Sequence, residues 1–586
     1  MDKVTYEIVR SGLYSIAREM KIAMMRTAAS PIIHSGGDAS AAIFDSEMQL
    51  VAQGNDIPTM LGSAVLSVKA SVEAVGRGEL RPGDVIVSND AYLGGGNHQP
   101  DVQLTRPIFL NGEIVAFAMT RGHWSDIGGQ SPGSFDPDTW DIFGEGMRIP
   151  PVLLYRNDTL VKDTTTLIVQ NMRDPQSRML DIKAQYAGVF LGEQRIVGMA
   201  RRYGADALRE SMGEALDQSE RLMRAQIGRM PDGVYEAEDF IEPVGEGDLI
   251  PVRVKITIRG DGMIVDFTGS APQVRGGINC PLAVTCNSTW YTIKAVTDKA
   301  IPINQGCYRP IEIVCPAGSI LNCEFPASVV SGNTETSPRV IDMLLGALAK
   351  ALPDRVIAQS HSAASVVTFS GDDPDAVRGR ALGRRYVSMI DVHAGGMGAR
   401  PRQDGVSAVR VHVGNTATQP VEQIEKLTPL VIEEWSLVQD SGGAGRYRGG
   451  LTTRRVYRMA YEEATCSVIG ERSRVAPRGI LGGEAGATFR AVLSFADGRS
   501  RTLPSKGRKT VLAKGDRLSI APAGSGGCGD PHLREPNRVL DDVIDGYVSR
   551  DAARERYGVV LLADGQAVDE PATAKLRTDA GRERSS

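Results

Sequence analysis

Asn89-Asp-Ala-Tyr-Leu-Gly-Gly-Gly-Asn-His-Gln-Pro-Asp101 runs into Val102 to Leu110, then Asn111-Gly112, then Glu113 to Arg121, and ends in Gly122-His-Trp-Ser-Asp-Ile-Gly-Gly129. Val102 to Leu110 and Glu113 to Arg121 read as strands, and Asn-Gly between two such runs is a two-residue hairpin signal. With Leu110 facing Glu113, Asp101 falls opposite Gly122 and His123 opposite Pro100. Neighbouring residues on a strand point to opposite faces, so this register separates Asp101 from His123. A one-residue bulge restores a shared face, and Pro107 is the kind of residue that marks a bulge or an edge. His98, Asp101 and His123 then cluster at the open end of one hairpin. Two imidazoles and a carboxylate suit a catalytic divalent metal with a position left open for water. The alternative is a Gly-rich turn carrying two loop histidines.

The chain around this hairpin has 586 residues, too many for one core, and two to four domains are expected. A net charge of -5 argues against a nucleic-acid or membrane-surface protein. No segment is long enough to span a bilayer, and the first residues lack a charged-then-apolar leader pattern. Cys280, Cys286, Cys307, Cys315, Cys323, Cys466 and Cys528 form an odd set without a CxxC pair. Buried free thiols in a reducing cytoplasm are the expectation, and a thiolate zinc site is not.

The fold class is read as α+β, with a helix-rich N-terminal region that carries the metal site, followed by β-rich, Gly-rich domains. Val4, Ile8, Val9, Leu13, Ile16, Met20 and Met24 give residues 3–28 helical spacing. Residues 57–78 and 173–230 also read as helical, the latter broken at Arg201-Arg202-Tyr203-Gly204. From Gly233 short strands take over. The boundaries are 1–230 for the metal-site domain, 231–430 for a mixed α/β substrate domain and 431–565 for a β-rich domain. A polar flexible tail is expected over 566–586.

Other residues join the candidate chemistry. Asp38 precedes a strand with no helix to cap, so a buried carboxylate there needs a partner: a metal, or its own backbone in an Asx-type turn. His34 reads as a surface loop residue. Asp126 is three residues past His123 and is the candidate catalytic carboxylate, orienting a ligand imidazole. Glu145 is expected to pair with Arg148. Ser337 before Pro338 reads as an N-cap. Asn333, Glu335 and Arg339 crowd one turn, which leaves substrate contact open. His393 lies in a glycine-rich loop. There is no GxxxxGK[ST] phosphate loop, no GxGxxG after an opening strand and no GxSxG elbow.

These blocks together resemble the hydantoinase B/oxoprolinase family. The likeness runs through Arg26-Thr-Ala-Ala-Ser-Pro31, the Asp38 segment, Gly96-Asn-His-Gln-Pro-Asp101 and Arg121-Gly-His-Trp-Ser-Asp-Ile-Gly-Gly129. It continues through Glu145-Gly-Met-Arg-Ile-Pro-Pro151, Gly332-Asn-Thr-Glu-Thr-Ser337 and Gly395-Gly-Met-Gly-Ala-Arg400. It ends in Asp440-Ser-Gly-Gly-Ala-Gly445 and Gly526-Gly-Cys-Gly-Asp-Pro531. The resemblance implies that His98, Asp101 and His123 are metal ligands and that Asp38 is a fourth. It implies zinc or manganese, ATP used through an actin-like hydantoinase A-type partner subunit, and a hetero-oligomer. The implied activity is hydrolysis of a hydantoin, oxoproline or lactam ring after the partner phosphorylates its carbonyl oxygen. The alternative is a subunit of an ATP-dependent ketone carboxylase of the acetone or acetophenone type. Relatives often have a second histidine where this chain has Trp124, and charged residues where it has Ser35-Gly36-Gly37.

Overall fold

The computed structural model describes residues 2–371, 387–461, 463–507 and 509–583. The α+β class is observed. Seven antiparallel strands form the N-terminal sheet: β1 (Ala39–Asp45), β2 (Leu50–Gln53), β3 (Val85–Ser88), β4 (Asp101–Leu110), β5 (Glu113–His123), β6 (Val152–Arg156) and β7 (Thr159–Leu160). Their order is β2-β1-β5-β4-β3-β6-β7.

Both faces of this sheet are buried, and the period of two sorts its side chains between two cores. Ala39, Ala41, Ile43, Val102, Leu104 and Ala118 pack on the side of the Lys3–Thr27 and Pro175–Tyr203 helices. Ala42, Phe44, Phe117 and Met119 pack on the opposite side, with the Pro58–Val75 helix. Asp2 starts the first helix by accepting from Val4 N–H and Thr5 N–H, and Val9, Leu13, Ile16, Met20 and Met24 form its buried stripe. The break expected near Arg201 is the Gly204 turn between Pro175–Tyr203 and Ala205–Ile227.

The hairpin carries the one-residue bulge expected from the sequence. Leu110 faces Glu113 and Phe109 faces Ile114, but Ile108 faces Ala116. Val115 is the extra residue. Val115 and Ala116 consequently pack into the same core, although they are neighbours in sequence. The bulge lies close to Pro107, and on the opposite strand. Beyond it the register has moved by one: Asp101 faces His123, and Gly122 faces Val102.

Past residue 230 the chain builds a sheet from Gly233–Ile241, Ile250–Arg259, Gly262–Asp266 and Ile311–Val314. Two further sheets follow, of four and five strands. The largest apolar cluster includes residues from Ala42 to Val413, so a continuous core crosses position 230. The glycine runs near 440–450 and 524–530 let backbones stack directly. A Cβ on Gly449 would lie 2.2 Å from Ser525 O, and one on Gly526 2.1 Å from Arg478 O.

All seven cysteines are free thiols. Among the described residues no helix is long and apolar enough to cross a membrane. Two expectations are corrected here. The segment read as a flexible tail contains a helix, Glu570–Glu583, because Arg577 reaches back to the carbonyls of Arg534 and Tyr557. Ser337 is not an N-cap: a π-helical turn over Gly332–Thr336 runs into the Ser337–Leu348 helix, and Ser337 Oγ donates to Asn333 O.

Candidate metal centre

Three adjacent strands end at one edge of the N-terminal sheet, and their last residues stand in a row. Ala39 faces Gly122 across β1 and β5, and His123 N–H donates to Asp38 O (3.1 Å). Asp101 faces His123 across β4 and β5. By alternation Asp38, Asp101 and His123 lie on the face of the Pro58–Val75 helix. On that face Arg121 locks the hairpin to the helix. Its Nη1 donates to Met60 O and Ser63 Oγ, and its Nη2 to Ser67 Oγ and Gln103 Oε1. On the far face Gln185 ties the two strand ends together, accepting from Trp124 Nε1 and donating to Val102 O, both at 2.8 Å. Trp124 therefore points away from the cluster.

His98 comes from the glycine-rich loop, which turns into β4 through Asp101 N–H to His98 O (3.1 Å). Its Nδ1–H donates to Val330 O (2.8 Å), which fixes the tautomer and leaves Nε2 facing Asp101 Oδ1 at 3.1 Å. His123 Nδ1 lies 3.1 Å from the same oxygen. One ligand atom from each of the three lies within 4.8 Å of the others. His123 Nε2 is buried without a hydrogen-bond partner. A buried ring nitrogen with nothing to bond beside a carboxylate and a second imidazole fits a mixed N/O divalent-metal site.

Asp38 lines the same cavity, with Phe135, Asn333, Thr334, Arg410 and His412. Burial pushes the Asp38 carboxyl above its ordinary range. Burial also acts on Asp101, but the His98 imidazole beside it and the His123 hydrogen bond outweigh it and hold Asp101 far below. His98 shows the counterpart: burial disfavours its charged ring, yet Asp101 raises it above its ordinary value. The Phe135 ring stands edge-on to His98 with the ring centroids 5.4 Å apart, an apolar wall of the cavity.

Not every candidate joins the cluster. The Asp126 carboxylate accepts from Gly128 N–H, Gly133 N–H and Arg173 Nη1, each at 2.9 Å, and lines a neighbouring cavity. It braces the loop that leads to Phe135. Its hydrogen bonds do not go to the His123 ring. Glu145 does not pair with Arg148, which pairs with Asp90 at 2.7 Å. Glu145 Oε1 instead accepts from Ser328 Oγ and from the N–H groups of Val329 and Val330, holding the carbonyl that orients His98. His34 Nδ1 meets Ser35 Oγ at 2.7 Å, outside the cluster. Arg339 is buried on Asp239 and Phe240 O, and His393 on Tyr457. Neither lines the metal cavity. Asn333 does, whereas Arg410 and His412 carry no local signal in the sequence: each reaches the cavity from a loop about 300 residues downstream of the hairpin.

The sequence matches the family described as hydantoinase B/oxoprolinase over residues 2–531. It is 33% identical to the caprolactamase subunit beta of Pseudomonas jessenii, over 98% of both chains. It is 31% identical to the 5-oxoprolinase of Dictyostelium discoideum over 90% of its own length, which is 40% of that longer protein. The crystal structure of the ATP-dependent caprolactamase from Pseudomonas jessenii superposes with a TM-score of 0.91 at 32% identity, covering 99% of this chain and 100% of the other.

Proposed function

The chain belongs to the hydantoinase B/oxoprolinase family, and from that premise we propose that it is the metal-bearing subunit of an ATP-dependent cyclic amidohydrolase. Its partner is an actin-like, hydantoinase A-type subunit that phosphorylates the carbonyl oxygen of a hydantoin, an oxoproline or a lactam. This chain then opens the ring. The two work as a hetero-oligomer in the cytoplasm. The observation that carries the reading is the meeting of His98, Asp101 and His123 beside Asp38 at one sheet edge, with His123 Nε2 unpartnered.

The chemistry explains the division of labour. A cyclic amide C–N bond is resonance-stabilised, and phosphorylating its oxygen turns the carbon into a better electrophile. Asp38, His98, Asp101 and His123 would hold the divalent cation, zinc or manganese. Such a cation supplies a Lewis acid and lowers the pKa of water toward neutrality. The protein's own groups supply the rest. Val330 O and Glu145 fix the His98 ring, Arg121 and Gln185 clamp the strand ends, and Phe135 excludes water. Asp126 acts as a positioning residue for the Phe135 loop.

Co-expression with an actin-like subunit tests the reading. The complex should open the ring with release of ADP and phosphate and need no bicarbonate, and neither chain should turn over alone. Turnover that required bicarbonate and fixed its 14C into an acid-stable carboxylate would replace this reading with the carboxylase.

A further inference from the structure

Arg410 lines the metal cavity, and the ligand set leaves its chemistry unused. Its side chain makes no hydrogen bond and no ion pair among the described residues, and its Nη1 is fully buried. The residue as a whole is half-buried, but a guanidinium stays charged at any working pH, so an enclosed nitrogen without an anion is costly unless something supplies that anion. The nearby carboxylates do not. Asp391 Oδ2 is engaged by Arg455 and Tyr457. Asp101 is held between the two imidazoles. Glu335 is fully buried with neither oxygen partnered, and Arg410 Nη1 meets no oxygen of Asp38. Asn333 adds a second unsatisfied group. Its amide lines the same cavity and its buried oxygen has no partner. Turned over, that amide would place N–H donors where the unpartnered oxygen now lies.

We propose that Arg410 and Asn333 form an oxyanion subsite beside the metal centre, which takes the phosphoryl group of the activated substrate. The planar fork of a guanidinium matches two phosphoryl oxygens. The subsite would hold the leaving group while the carbon–nitrogen bond is presented to the metal ligands. The inference rests on the reading that a phosphorylated substrate reaches this cavity. A carbonate ion shares the oxyanion chemistry, so the test must separate the two.

Inorganic phosphate and bicarbonate are titrated calorimetrically into the full-length chain, once zinc-loaded and once stripped with chelator. Phosphate should bind both forms, more tightly than bicarbonate. Arg410→Gln should weaken phosphate binding at least ~10-fold, and Arg410→Lys, which keeps the charge and loses the fork, should weaken it less. Zinc content and the thermal melt should match wild type in both variants. Unchanged phosphate affinity in Arg410→Gln overturns the assignment. So does phosphate binding that vanishes with the metal, or zinc lost from Arg410→Gln, since the residue would then be serving Asp38. A preference for bicarbonate overturns the phosphoryl assignment. None of these outcomes depends on ring opening, so failure here and failure of the amidohydrolase reading are told apart.

Discussion

At Glu145 one carboxylate oxygen accepts from Ser328 Oγ and two backbone N–H groups while the other, also buried, has no partner. Burial lifts this carboxyl from 4.5 to about 7. An acid whose folded pKa is raised binds more protons folded than unfolded, so stability falls as pH rises through that window. Glu145→Gln keeps an accepting oxygen and removes the charge. The variant should be more stable than wild type above pH 7, by on the order of 3 kcal/mol, and the difference should disappear below about pH 4. Denaturant unfolding across that range checks it; a constant difference at every pH would contradict it. At this scale the sequence was legible where partners are close in the chain. His98, Asp101 and His123 declare themselves by residue type and spacing. Asp126 does not, because Arg173, which takes it, lies 47 positions away. Glu145 misled for the same reason: Val330 is 185 positions away.

Strand and helix boundaries followed from period and punctuation, but register needed a physical argument. The ideal Asn111-Gly112 hairpin puts Asp101 and His123 on opposite faces, and a shared face requires a bulge. The structure supplies it at Val115, where no Gly or Pro marks it; Pro107 sits near, on the other strand. Packing decides the matter, since Val115 and Ala116 both find apolar partners on one side. The same close packing yields a prediction. Gly188, on the Pro175–Tyr203 helix, lies over β5, where an added Cβ would meet Thr120 Cγ2 at 2.8 Å and Met20 O at 3.1 Å. Gly188→Val should push the helix off the strand and destabilise the chain by roughly 1–3 kcal/mol. Gly198→Val on the same helix, which meets nothing within 4 Å, should cost less. Thermal melts of the pair measure this, and equal losses would contradict the packing described.

Across the whole molecule, the contacts that complete the site are those a local reading cannot reach. Val366–Gly371 pairs with Glu463–Ile469, about a hundred residues on, and the wall of the metal cavity draws on Asn333, Val366, Ile390 and Arg410. The C-terminal helix was unreadable for a related reason. Its sequence is polar, and its order comes from Arg577 docking on distant carbonyls rather than from an apolar stripe. The N-terminal sheet edge, by contrast, gathers its candidate ligands from β4, β5, the residue before β1 and one adjoining loop, which is why the cluster could be read early. The amidohydrolase reading depends on that edge holding a cation. Elemental analysis of the purified protein and of His98→Ala and His123→Ala is the most direct test. Wild type should carry about one divalent ion per chain. Both variants should carry none while keeping the wild-type circular dichroism spectrum; full metal content in both would contradict the account.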